Sequence, residues 1–256
     1  YFRIDILMLS FMVGDQVVGW YSAAYKLIDA LNFIPYIIFI STFPSMSRLF
    51  VENKELLLTL VNRVIRYLTY LALPIATGTI ILSERILQFI YGNQFHNSSV
   101  ALKILIIAEA LAFVTFILVI TLKSIGREKQ VTYTLISLSI FNIVLNFILI
   151  PKYTYVGAAV ATTVTELLSL FILNAVMKKY LVKVNYKLIK PLFASLLMGV
   201  IIYYLNFLAI WWLIIIGMAS YSLLLYLLKL PEEDKILVSE IIEKTNSFLK
   251  SHDIKI

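Results

Sequence analysis

Six ionisable side chains, Arg3, Asp5, Lys26, Asp29, Glu109 and Glu166, sit inside stretches that otherwise avoid charge. An ionised group near mid-bilayer costs about 2.5 to 3.5 kcal/mol even on the lenient insertion scale, so each needs a partner, water or loss of its charge. Together they point to an interior aqueous path. Ser22, Lys26, Asp29 and Asn32 follow one another at steps of four, three and three, which crowds them onto one side of a helix with Lys26 and Asp29 near enough to pair. Further on, Ser139, Asn142 and Asn146 form a neutral hydrogen-bonding stripe, and Glu166 shares a face with Thr162, Thr163 and Ser169. Each stripe has a plainer use, because amides and hydroxyls in membrane helices often only join neighbouring helices. Arg3 and Asp5 lie two residues apart, about 200° around a helix, so they cannot face the same way. Asp5 is expected to face the path, and Arg3 a neighbouring helix or the cavity edge.

Other chemistry is poorly served. There is no cysteine, and the two histidines, His96 and His252, lie far apart, which excludes thiolate sites and a two-histidine zinc site on one helix. No Gly-Lys dipeptide exists to form a phosphate-binding loop, and no serine, histidine and acid are placed to act together. The residues read as a binding or transport protein, not an enzyme, with no cofactor beyond a coupling ion.

The elements that must hold these residues follow from hydropathy. In 256 residues, 61% are hydrophobic and only 14% charged, and the mean hydropathy of +0.91 exceeds what one soluble core can hide. The fold class is all-α, a polytopic membrane protein. Eight apolar segments stand out, near 1–14, 19–46, 61–82, 101–122, 130–150, 157–177, 189–208 and 210–229. The first offers about 14 residues, roughly 21 Å of helix against a core of about 30 Å, so the sequence is expected to begin inside a helix. Pro35 and Pro44 each remove a backbone hydrogen bond, so the second helix is expected to bend. The run Gly157-Ala158-Ala159 predicts close helix packing.

If the segments alternate in direction, seventeen of the lysines and arginines fall on one membrane side and three on the other. That split predicts the first side, with the C-terminus, to be cytoplasmic in a cell membrane. The net charge of +7 is then a topology signal and not a nucleic-acid surface. Trp20 and the pair Trp211-Trp212 fall at the expected outer ends, where amphipathic rings prefer the headgroups. The last residues, 230–256, open with Pro231 and three acids and continue as an apolar stripe, predicting a cytoplasmic amphipathic helix. The tripeptide Asn97-Ser98-Ser99 is a sequon on the outer side.

The middle of the chain, SIGREKQVTYTLISLSIFNIVLNFILIPKYTYVGAAVATTVTE, resembles the polysaccharide-biosynthesis (Wzx-like) flippases of the multidrug/oligosaccharidyl-lipid/polysaccharide exporter superfamily. The marks are Gly126 with Lys129, the pair Asn142 and Asn146, Pro151, and Gly157-Ala158-Ala159; Thr154 departs from a common glycine. Arg3 and Asp5, Gly19-Trp20-Tyr21, Pro44-Ser45 and Tyr91-Gly92-Asn93 are similar too. The resemblance implies a C-terminal portion of a fourteen-helix exporter. Residues 1–180 would be its second six-helix bundle with a truncated first helix, 181–229 two additional helices, and the missing N-terminal bundle a partner. It further implies alternating access for an isoprenoid-lipid-linked oligosaccharide, for cell-surface glycan assembly, coupled to an ion gradient. In that role Arg3 and Lys26 would meet phosphate or anionic sugar, and the asparagines sugar hydroxyls. Asp5, Asp29, Glu109 and Glu166 would take a proton or sodium ion. A multidrug or cation antiporter of the same superfamily is the alternative, and a membrane-embedded glycan transferase a more distant one. The fragment alone is expected not to transport.

Overall fold

The computed structural model describes residues 4–181 and 188–228. Arg3, Lys183, Lys187 and the amphipathic tail expected after Pro231 lie outside the described residues. Within them the chain runs α1 (Ile4–Met12), α2 (Asp15–Leu31), α3 (Phe33–Glu52), α4 (Lys54–Tyr91), α5 (Ser98–Ser124), α6 (Glu128–Tyr180), α7 (Ile189–Tyr204) and α8 (Ile210–Leu227), with a short 3-10 turn at Asn93–Phe95. No strand occurs among the described residues.

The eight apolar segments map onto these helices with two adjustments. Helices α2 and α3 form one bent rod, Asp15–Glu52, long and apolar enough to cross a membrane. The bend falls at Asn32, ahead of Pro35, which has no N–H to offer the carbonyl one turn back. Helix α6 departs from a single span in the opposite sense. Its 53 residues would reach about 80 Å if straight, more than twice the bilayer core. It instead reverses at Thr154, whose φ of 53° and ψ of −134° lie in territory normal only for glycine. Gln130 then meets Tyr180, and Asn142 meets Thr165, across two antiparallel limbs. Near the tip the limbs touch so closely that a Cβ on Gly157 would stand 2.4 Å from the Leu149 carbonyl oxygen. The segments at 130–150 and 157–177 are these limbs, and the class is a multi-pass helical membrane protein.

Helix α5 is the hub. Its buried face meets α2, α3, α4 and α6, and two apolar clusters lie along it. One gathers Leu57, Ile65, Phe113, Ile117 and Met177; the other gathers Leu9, Tyr21, Leu102, Ile106 and Ala158. The hub stands beside α4, which Asn53 opens by accepting the N–H groups of Glu55 and Leu56 at 3.0 and 3.1 Å, a cap worth about 1 kcal/mol. Helices α7 and α8 pack on α4 through a third cluster built on Leu82, Met198, Ile202 and Leu213. Arg85 of α4 fastens their connection by donating to the carbonyls of Asn206 and Leu208 at 2.6 and 2.7 Å. At the end of the molecule where α6 reverses, Trp20 stacks edge-on against Tyr155, and the Tyr155 hydroxyl donates to the Asn97 carbonyl. The expected interfacial position of Trp20 is thus also a joint between α2, α5 and α6.

The tip of α6 yields a paired expectation for stability. Thr154→Gly removes backbone strain and raises the melting temperature in detergent, by an amount equivalent to about 1 kcal/mol or more. Gly157→Ala forces the limbs apart and lowers stability by about 1 to 3 kcal/mol. Thermal melting of both variants beside the parent chain checks the pair.

Candidate functional site

A cavity of about 80 Å³ opens between α1, α2, α5 and α6, lined by Asp5, Tyr25, Ile28, Asp29, Asn32, Leu105, Ala108, Glu109, Ala112, Asn142, Thr162 and Glu166. All four acids found in the apolar segments reach it. Asp5 comes from α1, Asp29 from α2, Glu109 from α5 and Glu166 from the second limb of α6. Among the described residues no lysine or arginine lines it. The cavity is therefore anionic in character, with an aromatic ring and two amides beside its carboxyls.

Each acid is held differently. Asp5 is buried; its Oδ2 accepts the hydroxyl of Tyr21 in a short hydrogen bond, and its Oδ1 accepts the Ile6 N–H at 2.8 Å. Tyr21 is itself fully buried, so the pair forms a fixed floor. Glu166 is half-buried and accepts the Thr115 hydroxyl at 3.1 Å. Glu109 is 6% exposed, and its Oε1 has no hydrogen-bond partner. A buried carboxyl oxygen left unpaired is costly, so Glu109 is a candidate in the cavity to take a proton or a cation.

The asparagines form a relay behind the acids. Asn142 donates to the Thr165 hydroxyl at 3.1 Å, and Asn146 donates to the Asn142 carbonyl oxygen at 2.8 Å, while Thr165 donates back to the Ala161 carbonyl at 2.7 Å. Asn142 edges into the cavity, whereas Asn146 is fully buried and does not line it. The amide stripe thus ties the two limbs of α6 together, the plainer of its two uses.

Asn32 lines the cavity but Lys26 does not. Lys26 lies on the exposed side of α2, with Asp15, Gly19 and Ala30 also exposed. Positions 26 and 29 differ by only about 60° around a helix, yet the edge of the bundle passes between them. The expected polar stripe is therefore divided: acid and amide inward, base outward. Arg3 lies outside the described residues.

Tyr21, Tyr25, Thr115 and Thr165 were not among the residues singled out by charge. Their type gave no warning, since tyrosines and threonines in apolar helices are usually packing residues. The spacing held a faint signal: Tyr21 and Tyr25 precede Asp29 at steps of four, so they share its side of α2. Among the described residues no three acids or histidines lie close enough to chelate a metal ion, so a cation here would need mixed oxygen ligands.

Fold and cavity define a multi-pass helical protein with a polar pocket inside one bundle. The structure matches that of the lipid II flippase MurJ in its inward closed conformation, with a TM-score of 0.71 and 19% sequence identity, over 93% of this chain and 50% of MurJ. Residues 1–100 match a family model described as polysaccharide biosynthesis protein. Two relatives from Haloferax volcanii are similar in sequence. The probable flippase AglR is 29% identical over 172 residues, covering 63% of this chain and 35% of the relative. The probable low-salt glycan biosynthesis flippase Agl15 is 24% identical over 166 residues, covering 64% and 35%. The chain thus spans about a third of the length of these relatives and half that of MurJ. The resemblance to Wzx-like polysaccharide flippases of the exporter superfamily is borne out.

The floor of the cavity can be checked directly. Tyr21→Phe leaves Asp5 without its strongest donor and is expected to lower stability by about 1 to 3 kcal/mol. Melting at neutral pH, with Asp5→Asn combined in a double-mutant cycle, measures the coupling between the two.

Proposed function

We propose that this chain forms part of a transporter that moves an isoprenoid-lipid-linked oligosaccharide across the cell membrane, driven by a proton or sodium gradient. The observation that carries the reading is the division of α2, which sets Lys26 on its exposed side and Asp29 in the cavity. Lys26 stands about six residues, or roughly 9 Å, along the helix from Trp20. An ammonium at such depth is stable only beside water or an opposite charge, so this side of α2 faces an aqueous path. A further helical bundle, matching the rest of a MurJ-sized protein, would close that path from the other side. The phosphate or anionic sugar of the cargo would meet Lys26 there.

The internal cavity takes the other half of the work. At about 80 Å³ it is far below the roughly 300 Å³ or more of drug-sized pockets. That magnitude supports a small occupant over the bulky cargo of a multidrug antiporter inside this bundle, even though four acids and a tyrosine suit a cation chemically. A proton on Glu109, or a sodium ion held by carboxyl, amide and hydroxyl oxygens, fits the space. Occupying the cavity relieves crowding among the acids on α1, α2, α5 and α6, which couples ion binding to the packing of α2 and hence to the side that carries Lys26. The bases would lie on the cytoplasmic surface, and no bond-making chemistry is required.

Transport by the full-length protein, with lipid-linked glycans and cationic dyes offered in parallel, tests the reading. Lys26→Gln should cut glycan-lipid flipping at least about tenfold, a loss of roughly 1.4 kcal/mol or more, while residual transport keeps its ion dependence. Glu109→Gln should abolish the dependence on the gradient yet leave cargo binding intact. Unchanged flipping in Lys26→Ala would remove that residue from the path, and transport of dyes but not glycan lipid would favour the antiporter.

A further inference from the structure

At the end where α6 reverses, Arg85 is committed to backbone carbonyls and Lys103 to Glu84 at 3.1 Å. At the other end, Lys123, Arg127, Lys129, Lys178 and Lys179 are exposed, and none pairs with an acid among the described residues. Glu128 is the one acid interleaved with them.

Arg127 is the organised member of this group. The turn after α5 fixes its backbone, since Gly126 takes φ of 73°, the Arg127 N–H reaches the Leu122 carbonyl at 2.9 Å, and the Gly126 N–H reaches that of Lys123 at 3.0 Å. This double bond pattern is the helix-ending motif whose last position is customarily apolar, and here it is arginine. The guanidinium lies 4.2 Å from the centre of the Tyr180 ring, and Gln130 donates to the Tyr180 hydroxyl at 2.6 Å. Backbone, ring and hydroxyl are all fixed. The N–H groups of Arg127 nevertheless bond no other described residue. A rigid fork whose donors bond no described residue is suited to two oxygens of a phosphate. Lys178 and Lys179, the two residues before Tyr180, are exposed on the same turn of α6.

Exposed apolar side chains continue from this point along both limbs of α6. Tyr133, Ile136 and Ile140 follow on the first, and Phe171, Leu167 and Val164 on the second. A phosphate held at Arg127 would thus sit at the head of surfaces that acyl chains can cover.

We propose that Arg127, with Lys178 and Lys179, forms an anionic-phospholipid site at the membrane surface, in which Tyr180 positions the guanidinium. The inference is independent of the cargo. It is tested with the chain in nanodiscs of phosphatidylcholine doped with fluorescent phosphatidylglycerol. Arg127→Gln should weaken phosphatidylglycerol binding about fivefold, close to the worth of one interfacial base. Tyr180→Leu keeps every charge and should weaken it comparably, because the fork loses its support. Arg127→Lys should fall between parent and Arg127→Gln. Lys103→Gln with Lys152→Gln, which removes two charges from the opposite surface, should change nothing. Melting temperatures show that each variant is folded, and Arg127→Lys carries the test if Tyr180→Leu is not. Equal losses from all variants would mean diffuse electrostatic attraction and overturn the site. Displacement by a polyisoprenyl phosphate at equal concentration would assign the site to a cargo-type lipid, and displacement by millimolar inorganic phosphate to a free anion; either result overturns the phospholipid assignment.

Discussion

Asp5 is kept inside a membrane-spanning bundle by the tyrosine opposite it, and much of the interior follows from that bond. A carboxyl in an apolar interior needs donors or must give up its charge, and Tyr21 with the Ile6 N–H supplies two. To do so Tyr21 must be fully buried, which brings α2 against α1 and α5 and leaves the next turn of α2, with Tyr25 and Asp29, at the cavity wall. Glu166 has its hydroxyl donor in Thr115 on the hub. Glu109 keeps an unpaired oxygen, which sets it apart from Asp5 and Glu166, whose carboxyls accept tyrosine and threonine hydroxyls in the same small space.

Much of the architecture was legible in the chain because lipid is a strict solvent. Every backbone group must be satisfied inside its own helix, so apolar length translates directly into helices. Pro151 and Gly157 correctly divided α6 into two limbs, and Pro35 marked the bend at Asn32. Thr154 was recognised as unusual for a turn that favours glycine, and its backbone angles show why. Charge likewise singled out Asp5, Asp29, Glu109 and Glu166, since buried charge is scarce and seldom idle.

The remainder was hidden for reasons of resolution in angle and in chemistry. Helical spacing groups Lys26 with Asp29, but a 60° difference decides between bundle and exterior when the two positions straddle its edge. No periodicity rule reports where that edge lies. Tyr21, Thr115 and Thr165 were not singled out for the site because the contacts that place them there, such as that of Thr115 with Glu166, join residues distant in sequence. The stripe of asparagines admitted two uses, and only the approach of Thr165 from the other limb shows Asn142 bridging the hairpin, with Asn146 bonded to it from the same limb.

The contact between Gly157 and the Leu149 carbonyl has a mechanical meaning. With no room at the tip and the Asn142–Thr165 bond across the middle, the two limbs of α6 resist sliding and splaying. Any rearrangement of the bundle then has to be taken up elsewhere. The rod of α2 and α3 is interrupted at Asn32, on the cavity wall next to that pair, so the acidic cavity borders both the clamped limbs and the break in the neighbouring rod.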